Sequence, residues 1–241
     1  MQGTLRFLTQ TTARQEAHPA RFYTLKTPSV LQINVSKAKE IPWHGQTVST
    51  GIFKTPVTGK VTARRLNLDG DEQADLTVHG GSDKAVYAYP IEQYEYWKTA
   101  YSSQNLEWGN FGENLTVCGF DETNICIGDK LQIGDAIFQV TQPRMPCYKL
   151  GIRFGDPDIV RLFYKSCKWG FYLSVLQEGD IEVGNEIVRL ENGGSDGVRL
   201  IDVSRCFVDK EPDLELVAKV LKSKLAKQMR GQLQNQFRSR L

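Results

Sequence analysis

A mainly β fold, with a few peripheral helices and a small helical unit at the C-terminus, is what this sequence predicts. Three observations carry that expectation. Short stretches of alternating apolar and polar residues recur between Leu31 and Leu176, the period of half-buried strands. Glycine-rich turns separate them, as in a barrel or sandwich and unlike a doubly wound sheet. After a polar, glycine-rich stretch at 191–197, the apolar residues recur at helical spacing instead.

Taken in order, residues 1–28 lack periodicity and the apolar core of a secretory signal, so they read as an irregular leader. A β domain is expected over 29–190. Leu31, Ile33 and Val35 alternate as one strand, and Thr58 to Arg64, Leu76 to Val78 and Ala85 to Tyr89 give three more. A helix over 91–101 puts Tyr94, Trp97 and Tyr101 on one face. Strands over Lys130 to Ile133 and Ala136 to Thr141 meet at a Gly134-Asp135 hairpin turn. Pro157 opens a helix over 157–166 with Ile159, Leu162 and Phe163 inward, and Phe171 to Leu176 forms a last strand. Beyond the linker at 191–197, a helical unit spans 198–241. Leu214, Val217, Ala218, Leu221 and Leu225 share a face there, acids precede lysines as the helix dipole favours, and Gly231 serves as a stop.

Composition narrows the function. A chain of 241 residues with 40% hydrophobic and 24% charged residues is ordinary for a soluble globular protein, and no stretch reaches the roughly 18 apolar residues of a membrane span. Five cysteines, odd in number and without a CxxC pair, argue against a zinc ribbon and a secreted disulfide framework. A reducing, cytoplasmic setting is expected. The net charge of +2 hides a basic tail, in which residues 210–241 hold eight basic and three acidic side chains. That tail reads as a solvated helix face. No nucleic-acid fold signature accompanies it, so a nucleic-acid partner is not expected.

The chemistry concentrates in residues 143–150, Pro-Arg-Met-Pro-Cys-Tyr-Lys-Leu. The prolines hold Gln142 and Met145 out of a helix and frame one thiol, Cys147, between Arg144 and Lys149. Neighbouring cations favour the thiolate, which attacks electrophiles and binds soft metals, and they can hold an anion beside it. In a second stretch, His79-Gly80-Gly81 stands just before Lys84; a flexible bend could converge amides on an anion, with His79 and Lys84 as charged donors. The competing reading is a plain hairpin turn. Asp69-Gly70-Asp71 just before it does not fit a calcium loop. In Phe111-Gly112-Glu113-Asn114-Leu115, Asn114 could bond a polar ligand ring or merely close a turn. Cys118, Cys126, Cys167 and Cys206 read as small buried hydrophobes.

The run LDGDEQAD, HGGSDKAV, FGENL and IGDKLQIGDAIFQVTQPRMPCYKL resembles the MOSC family, named for the molybdenum cofactor sulfurase C-terminal domain. It is most similar to the YiiM-type subgroup linked to resistance against 6-hydroxylaminopurine. The resemblance covers about residues 49–190, continues weakly into the tail as a three-helix unit, and leaves residues 1–28 without a counterpart. It implies a β-barrel that binds the molybdenum cofactor (molybdopterin), with Cys147 as metal ligand or sulfur carrier. Arg144, Lys149, Lys84, His79 and the Gly80–Gly81 amides would face the pterin phosphate. The function implied is reduction of small N-hydroxylated compounds, with a separate electron-donor reductase as partner, since no Gly-x-Gly-x-x-Gly fingerprint is present. A cofactor carrier or persulfide-transfer module is the alternative. A metal-free thiol enzyme using His79 as base, and a binding protein acting through the basic helix, stand further back.

Overall fold

The computed structural model describes residues 27–74, 80–102, 105–193 and 197–240. The leader through residue 26, the strand expected over 76–78, His79 and the centre of the linker lie outside the described residues. The strands are β1 (Ser29–Val35), β2 (Lys39–Trp43), β3 (Gln46–Thr50), β4 (Thr55–Val57), β5 (Val61–Ala63) and β6 (Val86–Pro90). They continue as β7 (Leu115–Cys118), β8 (Lys130–Ile133), β9 (Ala136–Pro143), β10 (Phe171–Gln177), β11 (Gly179–Ile181) and β12 (Ile187–Glu191). The helices are α1 (Ile91–Ala100), α2 (Tyr148–Phe154), α3 (Asp158–Ser166), α4 (Leu200–Val208), α5 (Leu214–Lys222) and α6 (Lys227–Gln236), with a 3₁₀ turn at Ser82–Lys84.

Eight strands form one mixed sheet in the order β12-β8-β9-β10-β6-β7-β1-β4. Only β6 and β7 pair in parallel, with α1 in the crossover between them. The barrel expectation is corrected, because the sheet does not close. It curls until the residues before β12 meet the start of β1, where Val30 N–H donates to Asn185 O at 3.0 Å and Ile187 N–H to Pro28 O at 2.8 Å. That seam is a single bridge, Ser29 with Glu186, and no ladder follows. The other edge strand, β4, is three residues long and carries Pro56, which has no N–H for a further partner.

One apolar core runs through the sheet and all six helices. Tyr94, Trp97 and Tyr101 are buried together as their spacing implies, and Trp97 stacks on Phe163 of α3 with centroids 5.6 Å apart. Leu162, expected inward, is 36% exposed, because Ile159 and Phe163 alone fill the narrow stripe that α3 turns to the core. Gly231 does not stop a helix but lies inside α6. Nothing approaches its missing side chain, so the helix passes through it. The strand expected from Thr58 begins only at Val61, after Gly59 turns at φ +78°.

These elements place the 143–150 segment. β9 ends at Pro143, which cannot donate to a continuing ladder; residues 144–147 cross an extended loop, and α2 starts at Tyr148. Gly155 closes α2 in the left-handed conformation. The start of α6 is tied to the same strand, since Ala226 N–H donates to Thr141 O at 3.1 Å. The C-terminal unit therefore stands beside the thiol loop.

Candidate active site

Cys147, Arg144, Lys149, Lys84 and Asn114 line one cavity of about 90 Å³, with Lys54, Asp71, Glu72, Tyr87 and Tyr172 among its other walls. Cys147 is half-buried and unpaired. Arg144 is 8% exposed, and its Nη1 is sealed from solvent with no hydrogen-bond partner. Its guanidinium carbon lies 4.7 Å from the Tyr87 ring centroid, a cation–π contact that fixes the group against the wall. Lys149 is equally buried and, among the described residues, is in no ion pair. Burial holds the Tyr87 hydroxyl well above the ordinary phenol range and raises that of Tyr172, so both walls stay neutral.

A tight network backs the cavity. Lys54 Nζ lies 2.5 Å from Asp71 Oδ1, and both side chains are almost wholly enclosed. Burial lowers the pKa of Lys54, against the pull of Asp71. Asp71 also accepts from Ser36 N–H at 2.8 Å and from Asn114 Nδ2 at 2.9 Å. Asn114 Oδ1 takes the Tyr87 N–H at 3.0 Å. Asn114 therefore borders the cavity while its amide clamps β6 to the Asp71 turn. Gly112 beside it has φ +77°, and a Cβ there would meet Ile52 Cγ1 at 2.7 Å, so the turn tolerates only glycine.

Two further hollows adjoin the first. One, of about 140 Å³, shares Cys147, Lys84 and Tyr172 with it and adds Gln142, Met145 and Met229. The other, of about 640 Å³, runs between the Gly80–Lys84 turn and α6. Gly80 and Gly81 line this outer groove and not the thiol cavity, and Gly81 N–H is already taken by Gln73 Oε1 at 3.1 Å. Lys84 lines all three hollows and donates to Gln228 Oε1 of α6 at 2.6 Å. His79 lies outside the described residues.

Sequence reasoning overlooked Lys54, Gln142, Tyr87, Tyr172 and the α6 wall. Only Asp71 had a signal, as part of the acidic turn. Two other thiols, Cys167 and Cys206, are buried. Burial pushes Cys167 up to about 11 and Cys206 up to about 12, leaving them protonated at neutral pH. Among the described residues no group of three or more His, Cys, Asp or Glu could hold a metal ion. Among the same residues no helix is long and apolar enough to cross a membrane.

The family model for the MOSC domain matches residues 75–188. The uncharacterised Bacillus subtilis protein YflK is 43% identical over 165 residues, covering 68% of this chain and 74% of its own. A Gibberella moniliformis protein named as a reductase is 31% identical over 171 residues, which are 70% of this chain and 30% of that longer protein. The crystal structure of YiiM from Geobacillus stearothermophilus superposes with a TM-score of 0.72 at 32% identity, over 86% of this chain and 98% of that one.

Proposed function

This chain belongs to the MOSC-domain family, and from that premise we propose that it binds the molybdenum cofactor and reduces small N-hydroxylated molecules beside Cys147. One observation carries the reading: two buried cations, Arg144 and Lys149, line the thiol cavity, and among the described residues neither is in an ion pair, Asp71 at the same wall being taken by Lys54. An uncompensated buried charge is expensive, so such a pair is kept for an anion that is bound when the protein works. The donor set fits the cofactor. Arg144 and Lys149 would hold its phosphate, Arg144 through the orphaned Nη1. Cys147, a soft ligand at the rim of the same cavity, would be the single protein ligand to its metal.

When bound, the cofactor supplies the two-electron chemistry. The chain's own residues bind and orient. Tyr87 lays its ring face against Arg144, the neutral Tyr172 hydroxyl accepts a hydrogen bond from it, and the Asp71–Lys54–Asn114 network keeps the floor rigid. Reduction of an N–OH group to N–H consumes two electrons and two protons and releases water. The electrons would come from a separate donor protein in a reducing, cytoplasmic setting. The fungal reductase supports this class of chemistry by its name alone.

The test is elemental analysis of protein made in hosts with and without the cofactor pathway, alongside reduction of 6-hydroxylaminopurine with an artificial electron donor. About one molybdenum per chain and activity only from the competent host are expected. Cys147→Ala should lose both. A variant with full metal and full activity would refute the ligand role, and a persulfide on Cys147 without molybdenum would turn the reading to a sulfur carrier.

A further inference from the structure

We propose that Gln142 selects the substrate, reading an N–H edge of a planar nitrogenous group in the hollow between Cys147 and α6. The inference rests on the reductase reading for its chemistry and on separate residues for its evidence. Gln142 is 4% exposed, walls both hollows beyond the thiol cavity, and has an Oε1 sealed from solvent with no hydrogen-bond partner. A buried acceptor left unmade is costly, so this oxygen is matched to a donor brought by a ligand.

The rest of the hollow suits a flat, uncharged partner. Met145 and Met229 offer polarisable sulfur surfaces, and Tyr172 adds an aromatic wall. Gln228 and Gln232 of α6 bring two more amides at the solvent side. Among the described residues the cation lining it is Lys84, which donates to Gln228. The thiol thus stands where two unlike chambers meet, a cationic one suited to an anion and an amide-and-sulfur one suited to a nitrogen heterocycle. A side-chain amide can pair with the donor and acceptor of such an edge at once, as in the recognition of adenine by Asn and Gln. The volume of about 140 Å³ is close to the ~150 Å³ cavity that takes up benzene, so one ring fits the hollow, and a fused second ring has room where it continues, past Gln142 and Gln228, into the outer groove.

Adenine is the probe, since it carries the edge but no N–O bond and needs no electron donor to bind. Its affinity is measured by calorimetry on the full chain, wild type and variants, with molybdenum content and melting temperature recorded for each. Gln142→Leu should weaken adenine binding about tenfold or more while molybdenum content stays unchanged. Gln142→Asn, which keeps the amide but withdraws it, should also weaken binding and covers the case in which the leucine variant does not fold. Gln228→Ala should have a smaller effect. Equal adenine affinity in wild type and the folded Gln142 variants overturns the inference, as does a molybdenum-loaded wild type that ignores adenine. Gln142-dependent adenine binding by protein that never takes up molybdenum would uphold this subsite and sink the proposed function.

Discussion

The cavity behind Cys147 and the pocket around Glu122 both bury charge, and they are joined through one residue, Gly170. On one side Gly170 N–H donates to Glu122 Oε1 at 2.7 Å; on the other its carbonyl accepts Arg144 N–H at 3.3 Å. Around Glu122 the network is finished. Gln93 Nε2 donates to Oε2 at 2.7 Å, and Lys168 Nζ donates to Gln93 Oε1 at 2.7 Å, so cation and carboxyl are linked through an amide. Around Cys147 it is not: among the described residues Arg144 Nη1 has no partner and Lys149 is in no ion pair. A closed network holds a fold together, whereas an open one of like charge is a place prepared for something else.

The sharpest way to break that comparison is to remove one member from each side. Glu122→Ala strips the partners from Gly170 N–H and Gln93, and should cost about 3 kcal/mol of folding stability, read by chemical denaturation. Arg144→Met removes a buried charge in no ion pair among the described residues, at the loss of its hydrogen bond to Tyr172 and its contact with Tyr87, and should cost clearly less stability than Glu122→Ala. Its loss falls on the ligand: affinity for inorganic phosphate, the anion probe, should drop about a hundredfold. If Arg144→Met unfolds the chain while Glu122→Ala does not, the two regions have been assigned the wrong way round.

How much of this could be read from residues alone follows the same division. The thiol loop was legible because its signals are local: two prolines stop β9 and free Cys147, and the flanking Arg144 and Lys149 are neighbours in sequence and in the cavity. Helix α2, starting at the very next residue, was hidden by those prolines. The Lys54–Asp71 floor joins positions from two separate loops, neither of which carries a period. The hairpin of β2 and β3 was missed because its residues are mostly exposed and show no buried alternation. Gln142 read only as a residue before proline, and nothing in α6 announced that its glutamines would face it. What local chemistry encodes was visible; what long-range packing brings together was not.

Acidity sharpens the comparison with a smaller effect. Burial raises Glu122 from the ordinary 4.5 to about 7, so the folded chain keeps a proton there that the unfolded chain has lost. Stability should therefore fall as pH rises from about 4.5 to about 7 and level off above. With about 1.4 kcal/mol per pH step, the full span reaches about 3 kcal/mol. Glu122→Gln abolishes this dependence, and the difference between the two denaturation series from pH 5 to pH 8 isolates it. A wild type as stable at pH 8 as at pH 5, relative to the variant, would show Glu122 to be an ordinary carboxylate and its network less closed than drawn.

The smallest effect is the most diagnostic of the open side. Lys149→Met keeps the length and apolar stem of the side chain but deletes a buried charge that is in no ion pair among the described residues. If the ammonium is held for a ligand, the apo protein pays for it, and the methionine variant should be more stable by about 1 kcal/mol. The same variant should bind phosphate about tenfold more weakly than wild type. Thermal melting with and without phosphate reads both numbers, because a ligand stabilises only the form it binds. Phosphate should raise the melting temperature of wild type more than that of Lys149→Met, so the gap between them narrows as phosphate increases. A Lys149→Met protein less stable than wild type at every phosphate concentration would make this lysine part of the frame, and the cavity would lose half the charge on which its reading stands.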